Sequence, residues 1–469
     1  MKKTKKPAAS KPKGRRKKAA PIQNATINPR YHPDAAGIDV GAEEFVAALP
    51  PDRCEQSVRT FATYTSGVEA LRDWLLEHRI TTVAMESTGN YWIMLYDKLT
   101  EAGIDVYLVN ARHVKGVPGK KTDVCDAQWL QQLHAAGLLR KSFRPALQIV
   151  SLRYLMRHRA EMVEHAATQL HLMQKSLTEM NLKLHHVFSD IDGVSAQAII
   201  GAILAGERDA HVLAKLRDRR CRSPLADILE ALKGDYRAEY LFVLKQSWES
   251  WQHTQKAIAA CDAELTTLAA KVECAVQSTL PAASSKQQHQ LAKNSPDMGI
   301  YQTGWRFYGV DLSDIPGVSA GVLSTLVSEV GTREQLLGSF RSAAAFASWL
   351  GLCPDNRVSG GKVLKAKTRK VPSRLARAMR LAAFGLQRAN SEMGQMLRRF
   401  KGKLGKAEGI TATAHKLARV IYGVIKSQRS YDAAEAFKTT PQKLERRRRR
   451  LEEEAAKLGF ALTQLPAAA

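Results

Sequence analysis

From Asp34 to Gly137, short apolar runs alternate with stretches of helical spacing, and this alternation restricts the possible folds more than any other feature. Ala36 to Leu49 reads as a strand that continues outward through Glu43 and Glu44, and Ser57 to Tyr64 as a second strand. Val68, Leu71, Trp74 and Leu75 recur at steps of three and four, which predicts a helix over 68–78. Thr81 to Met85 predicts a short buried strand, Tyr91 to Ala102 a helix stopped by Gly103, and Ile104 to Val109 another strand. Thr122 caps a further helix that runs to about Ala136 and stops at Gly137. This order implies a mixed or parallel sheet with helices on its faces.

Four acids stand on that framework. Asp39 lies near the middle of the first strand, Glu86 at the end of a later one, and Asp123 and Asp126 in the first turn of the helix behind Thr122. A spacing of three puts the last two on one helix face. Crowded carboxylates repel unless a divalent cation neutralises them. Magnesium takes oxygen ligands from converging elements, so the set suits a metal-dependent nuclease chemistry on phosphodiesters. Taken singly, each acid also has an ordinary reading: helix-start charge, turn residue or surface acid.

The remaining chain supplies the charge for such a substrate. Among 469 residues, 71 Lys and Arg face 45 Asp and Glu, a formal net charge of +26. A surplus of that size points to nucleic acid, because each neutralised phosphate releases counterions. The six cysteines form no C-x-x-C pair and no zinc spacing with histidine, so they read as reduced thiols of a cytosolic protein. No apolar run is long enough for a membrane span. The basic start, Met1 to Lys18, lacks the apolar stretch of a signal peptide and reads as a disordered tail.

Beyond Val150 the spacing is helical and long, to Val187 and again from Tyr236 to Val276. Such a pair packs as an antiparallel coiled coil or as two helices of a bundle. Pro281 to Ser295 reads as a linker. A weak repeat relates Ile191-Asp-Gly-Val-Ser-Ala to Ile315-Pro-Gly-Val-Ser-Ala. Both have the shape of a helix-hairpin-helix element, whose turn amides can meet a phosphate, and both also read as plain capped helix starts. Phe340 to Leu352 predicts a helix, followed by a glycine-rich basic loop, Asp355 to Lys362, that holds Ser359 between Arg357 and Lys362. Those cations could steady a phosphate while the hydroxyl attacks, although Ser-Gly-Gly is also ordinary turn sequence. Arg374, Arg377 and Arg380 then share one helix face. Arg446 to Arg450, followed by Glu452 to Glu454, reads as an exposed helix with internal ion pairs.

The ordered motifs Gly-Ile-Asp-Val, Met-Glu-Ser-Thr-Gly-Asn-Tyr-Trp, Asn-Ala-Arg-His-Val-Lys and Lys-Thr-Asp-Val-Cys-Asp-Ala resemble those of the DEDD transposases of bacterial insertion sequences, family one-ten. Downstream, Ile-Pro-Gly-Val, Gly-Leu-Cys-Pro and Ser-Gly-Gly-Lys extend the resemblance, which covers roughly Ala35 to Gln148 and Asp311 to Ala389. The resemblance implies an α/β RNase H/RuvC-like N-terminal domain, a long helical coiled-coil-like middle, and a mainly α C-terminal transposase domain with a helix-hairpin-helix-like element. The implied division is a basic tail (1–33), the catalytic domain (34–148), the helical region with its insert (149–300), the serine-bearing domain (301–430) and a charged tail (431–469).

It further implies that Asp39, Glu86, Asp123 and Asp126 hold Mg2+ or Mn2+ and that Ser359 is the nucleophile, forming a phosphoserine intermediate. Arg112, Lys115, Lys120, Lys121, Arg357, Lys362, Arg374 and Arg377 would hold nucleic acid. Strand exchange would pass through a Holliday-junction-like intermediate. The implied partners are donor and target DNA and a structured non-coding guide RNA. The implied assembly is a homodimer that pairs into a tetramer, in the bacterial cytoplasm at the nucleoid, with no membrane. Two departures stand out. The region 190–300 is longer than in short members, and Arg369-Lys-Val-Pro-Ser-Arg replaces the family's glycine turn after the serine loop. Two rivals remain: a junction resolvase that uses water in place of the serine, and a non-catalytic nucleic-acid-binding scaffold.

Overall fold

The computed structural model describes residues 31–87, 89–110, 123–274, 276–281, 294–365, 367–438, 441–461 and 463. The chain divides into two compact units after Phe143.

The first unit is built on a five-stranded mixed sheet. Its strands are β1 (Ala35–Val40), β2 (Glu44–Ala48), β3 (Val58–Ala62), β4 (Thr82–Glu86) and β5 (Asp105–Val109), in the spatial order β3-β2-β1-β4-β5. β1, β2 and β3 form an antiparallel meander, while β4 and β5 run parallel to β1. The single long strand expected over 36–49 is therefore a hairpin. The amide of Gly41 donates to the carbonyl of Glu44 at 3.0 Å and closes the turn. Periodicity alone misses this turn because β1 and β2 are both apolar and nothing but Gly41-Ala-Glu separates them.

Strand residues alternate faces, so each strand serves two cores. On one face Ile38, Val40, Phe45, Ala47, Val83, Met85, Val106 and Leu108 pack against α1 (Thr65–Glu77) and α2 (Trp92–Glu101). α1 contributes the predicted set Val68, Leu71, Trp74 and Leu75, and each such buried side chain stabilises the fold by roughly 1.5–3 kcal/mol. On the other face Ala84 and Val109 meet Leu130 and Leu133 of α3 (Asp123–Ala135), and Val46 and Ala48 meet its Ala127.

The second unit is almost wholly helical. Two long helices, α4 (Leu147–Glu179) and α6 (Ala238–Lys271), pack antiparallel. Arg159 pairs with Asp262 and His165 meets Thr254, so numbers rise along one helix as they fall along the other. Buried Leu152, Arg159, Ala166 and Met173 recur every seven residues, as a coiled-coil seam requires. Within the seam Arg159 donates two bonds to Asp262, at 2.6 and 3.0 Å. Between the two helices, short helical segments at 184–187, 210–215 and 225–231 and α5 (Val194–Leu204) form a further core together with the adjoining ends of α4 and α6. The linker expected over 281–295 lies mostly outside the described residues.

The remaining helices are α7 (Ile300–Tyr308), α8 (Ala320–Val330), α9 (Arg333–Ser339), α10 (Ala343–Trp349), α11 (Arg374–Gly385), α12 (Glu392–Leu404), α13 (Lys406–Ser427) and α14 (Pro441–Lys457), with a short helix at 433–436. The helix expected over 340–352 is shorter because Ser342 caps it, its hydroxyl accepting from the amide of Ala345. α13 is the hub of this part and packs against α10, α11 and α12. On α14 Arg448 and Arg449 pair with Glu452 and Glu453, as the sequence suggests. No described helix is long and apolar enough to cross a membrane.

Candidate active site

The acid face follows from the packing of α3 on β1. A side chain at Gly37 would lie under 3.0 Å from the backbone of Ala127 and Gln131, so the helix rests directly on the strand there. One step earlier on the same strand face, the Gln131 amide donates to the carbonyl of Ala35 at 3.1 Å. The strand therefore runs from Ala35 to Gly37 as the helix runs back from Gln131 to Ala127. Two strand residues advance about 6.6 Å and one helical turn about 5.4 Å, so the next step brings Asp39 to the first turn of α3. That turn carries Asp126 and begins at Asp123.

Glu86 reaches the same place along β4. Ile38 lies opposite Met85 in the parallel pair, so Asp39 and Glu86 are the next residues in register, on strands about 4.8 Å apart. Glu86 shares a strand face with Ala84, which packs under α3. Asp39, Glu86 and Asp126 thus lie on one sheet face, at the carboxyl ends of two parallel strands, and all three are half-buried. Asp39 is the fifth of six strand residues, so it sits at the strand's end and not near its middle. The backbone of Asp123 opens α3, but its side chain lies outside the described residues, as do Arg112, Lys115, Lys120, Lys121 and the proposed cap Thr122.

Carboxylate oxygens are hard donors of the kind that magnesium and manganese take. Among the described residues no three His, Cys, Asp or Glu side chains converge closely enough to hold an ion by themselves. A neighbouring polar site has a structural role. His134 is buried, with its Nε2 2.8 Å from the Thr82 hydroxyl. That hydroxyl spends its own proton on the Asp105 carbonyl at 2.8 Å, so His134 must donate from Nε2. Burial, aided by His32 and Lys141 and opposed by Asp105, lowers the pKa of His134 to about 4. It is neutral at physiological pH.

Ser359 does not sit in a loose loop, as expected, but ends β6 (Arg357–Ser359), which pairs with β7 (Lys362–Lys365). Gly360 and Gly361 both have positive φ, 54° and 75°, which gives the two-residue turn that matches strand twist. Ser359 lies directly opposite Lys362 in the ribbon, and both are exposed. A side chain opposite in a two-stranded ribbon stands about 5 Å away, so the Lys362 side chain lies within reach of Ser359. A bulge between Arg357 and Val358 breaks the alternation, and the Arg357 side chain lies outside the described set. Arg374 and Arg377 are exposed on α11, with Arg374 also pairing with Glu161 at 3.3 Å.

The two repeat copies differ. Ser319 caps α8 by accepting from the amide of Val322, and Gly317 has φ +94°. In the first copy the helix starts two residues earlier in the motif, behind Gly193 with φ −73°, and the Ser195 hydroxyl accepts from the amide of Asp218 at 2.8 Å. Sequence reasoning also missed Gly37 and Gln131, which seat α3. The only signal available was a glycine two residues before an acid in a strand.

Two family models match the chain. A DEDD-type IS110 transposase model covers residues 36–182, and the model described as Transposase IS116/IS110/IS902 family covers residues 311–398. No curated protein matches significantly. The first match spans the acid face and the second spans the serine ribbon with α11. The chain belongs to the IS110 family of transposases.

Proposed function

We propose that this transposase is an RNA-guided recombinase that moves its own insertion sequence through a serine–DNA intermediate. The observation that carries the reading is the gathering of Asp39, Glu86 and Asp126 on one sheet face beside the start of α3. A RuvC-like assignment of the first unit agrees with a mixed sheet whose acids end parallel strands. The residues that would hold a divalent cation are Asp39, Glu86, Asp126 and Asp123. When bound, that cation would neutralise phosphate charge and stabilise an oxygen leaving phosphorus.

Ser359 Oγ attacks the phosphorus of a phosphodiester. The Oγ–P bond forms, the P–O3′ bond breaks, the serine proton passes to solvent and the departing O3′ takes up a proton. Protein is left on the 5′ phosphate and a free 3′ hydroxyl on the other end. Attack by the 3′ hydroxyl of a second strand reverses these steps and joins the new pair, through a Holliday-junction-like intermediate. Lys362, opposite the serine, balances charge that grows on the phosphoryl oxygens.

Pairing of a structured guide RNA with donor and target DNA would set sequence choice, leaving the protein to bind backbone. Arg112, Lys115, Lys120, Lys121, Arg357, Lys362, Arg374 and Arg377 would supply phosphate contacts, so affinity should fall steeply with salt. The antiparallel arms α4 and α6 would mediate dimerisation, with dimers pairing into tetramers on DNA.

Covalent trapping tests the reading. The protein is incubated with magnesium, the junction DNA of its element and RNA from the flanking non-coding region. The expected product is a denaturation-resistant protein–DNA adduct that disappears in Ser359→Ala and falls by about a thousandfold in Asp39→Asn, the loss of several kcal/mol at 1.36 per decade. Cleavage without adduct, unchanged in Ser359→Ala, would instead make the protein a water-using resolvase.

A further inference from the structure

The last helix, α14, carries charges that mirror one another about a single residue. Reading outward from Leu451, the paired positions are Arg450 with Glu452, Arg449 with Glu453, Arg448 with Glu454 and, further out, Glu445 with Lys457. Each of these pairs joins opposite charges. The next pair, Leu444 with Leu458, is leucine on both sides. Arg447 with Ala455 and Arg446 with Ala456 complete the stretch outside the rule.

Leucines seven apart define one stripe of a helix, and Ala455, four beyond Leu451, falls beside it. Leu451, Leu458 and the charged side chains of 448–450 and 452–454 are exposed, with Ala455 half-buried. Within the helix Arg448 bonds Glu452 at 2.8 Å and Arg449 bonds Glu453 at 3.2 Å. Exposed pairs one turn apart are weak, so these groups can still be drawn to a partner.

A mirror of this kind fits one partner in one orientation. A two-fold axis at Leu451 reverses the chain direction and makes the contact self-complementary, as a two-fold interface must be. Leu451 then meets Leu451. The arginines 448–450 of each copy run alongside the glutamates 452–454 of the other, on both flanks of the apolar stripe. In a parallel pair arginine would run along arginine and glutamate along glutamate. Charge complementarity thus selects the antiparallel pair. A phosphate backbone fits less well, because the arginines that would attract it are followed within a turn by three carboxylates that repel it.

We propose that α14 pairs with α14 of a second copy of this chain, antiparallel and centred on Leu451. This contact needs neither the serine chemistry nor the arms α4 and α6, so it stands apart from the recombinase reading.

The test is sedimentation equilibrium of the full chain, stripped of nucleic acid and held at low salt. A cationic chain carries Glu452→Arg, Glu453→Arg and Glu454→Arg. An anionic chain carries Arg448→Glu, Arg449→Glu and Arg450→Glu, and a reversed chain carries all six substitutions as exchanges of sign, with Arg at 452–454 and Glu at 448–450. The parent should self-associate, and the cationic and anionic chains should each do so about 10-fold more weakly or worse, because attractions along both flanks become repulsions. An equimolar mixture of those two should recover association. The reversed chain should recover it alone, since it keeps the mirror, and both recoveries separate lost pairing from a lost helix. Leu451→Ser should weaken association with every charge in place.

A parent that stays monomeric overturns the proposal. So does a mixture or a reversed chain that fails to recover. Cationic and anionic chains that associate like the parent overturn it as well, since in a parallel pair the same changes only exchange one repulsion for another. If such a cationic chain also binds a short DNA duplex more tightly than the parent, the face belongs to nucleic acid instead. None of these outcomes bears on the adduct test, so the two readings fail separately.

Discussion

Asp39 stands on a strand whose neighbours are buried on both faces, whereas Ser359 stands on a short two-stranded ribbon whose described side chains are exposed. The acids are positioned by packing: two cores, a helix seated on Gly37 and a parallel register fix where they lie. The serine is positioned by backbone geometry: two left-handed glycines set the turn, and Lys362 follows by pairing. On the proposed reading the acids would be metal ligands, and such a site tolerates little displacement and needs a packed scaffold. On the same reading, Ser359 as a nucleophile that reaches a long, stiff substrate is better placed on an exposed element.

Three perturbations would break or sharpen this contrast. The largest effect should come from Gly37→Ala. Its methyl would press on backbone that cannot swing aside, so urea unfolding of the first unit should lose about 3 kcal/mol. An unfolding midpoint indistinguishable from the parent would mean that α3 is not seated as described.

Acid should come second. The pKa of His134 is depressed in the folded state to about 4 from 6.5. The unfolded chain therefore takes up this proton first, so stability is complete above about pH 6.5 and declines as pH falls toward 4, by about 3 kcal/mol in all. His134→Gln should flatten that part of the stability–pH curve. A curve that keeps its shape in the variant would assign the acid sensitivity to other groups.

The smallest effect belongs to the ribbon. Gly360→Ala forces a β-carbon into left-handed backbone, at about 1–2 kcal/mol. With no core beneath it, the melting temperature should hold while adduct yield falls a few-fold. Gly360→Asn, which tolerates this conformation, should restore most of the yield. Equal yields for the alanine and asparagine variants would show that the turn does not set the serine's position.

Much of the first unit is legible in the sequence because its periods are clean. Val68, Leu71, Trp74 and Leu75 announce α1, and Thr82 to Glu86 forms a buried strand where a short apolar run is bounded by polar residues. The order of the acids is legible too. What fails is whatever depends on long-range contact. The turn at Gly41 hides between two apolar strands, and the seating of α3 on Gly37 involves residues ninety apart in the chain. The ribbon reads as a loop because glycine-rich sequence fits both, and only the pairing of Arg357–Ser359 with Lys362–Lys365 separates them. Leu381 and Phe384 look like core by type. Their exposure emerges only once Leu375, Ala376, Met379 and Ala383 have claimed the buried face.

The core at the connected end of α4 and α6 has a consequence for how this chain can be shortened. Met173 and Leu177 of one arm and Leu244 of the other belong to it, together with α5 and the segments around it. The segment between the arms is therefore a stopper on the hairpin as well as an addition to it. A relative that joined the two arms by a tight turn would uncover those side chains. Trimming the insert and recolouring the arm tips with polar residues must happen together, so the length of this region and the composition of the arms beneath it can change only as a pair.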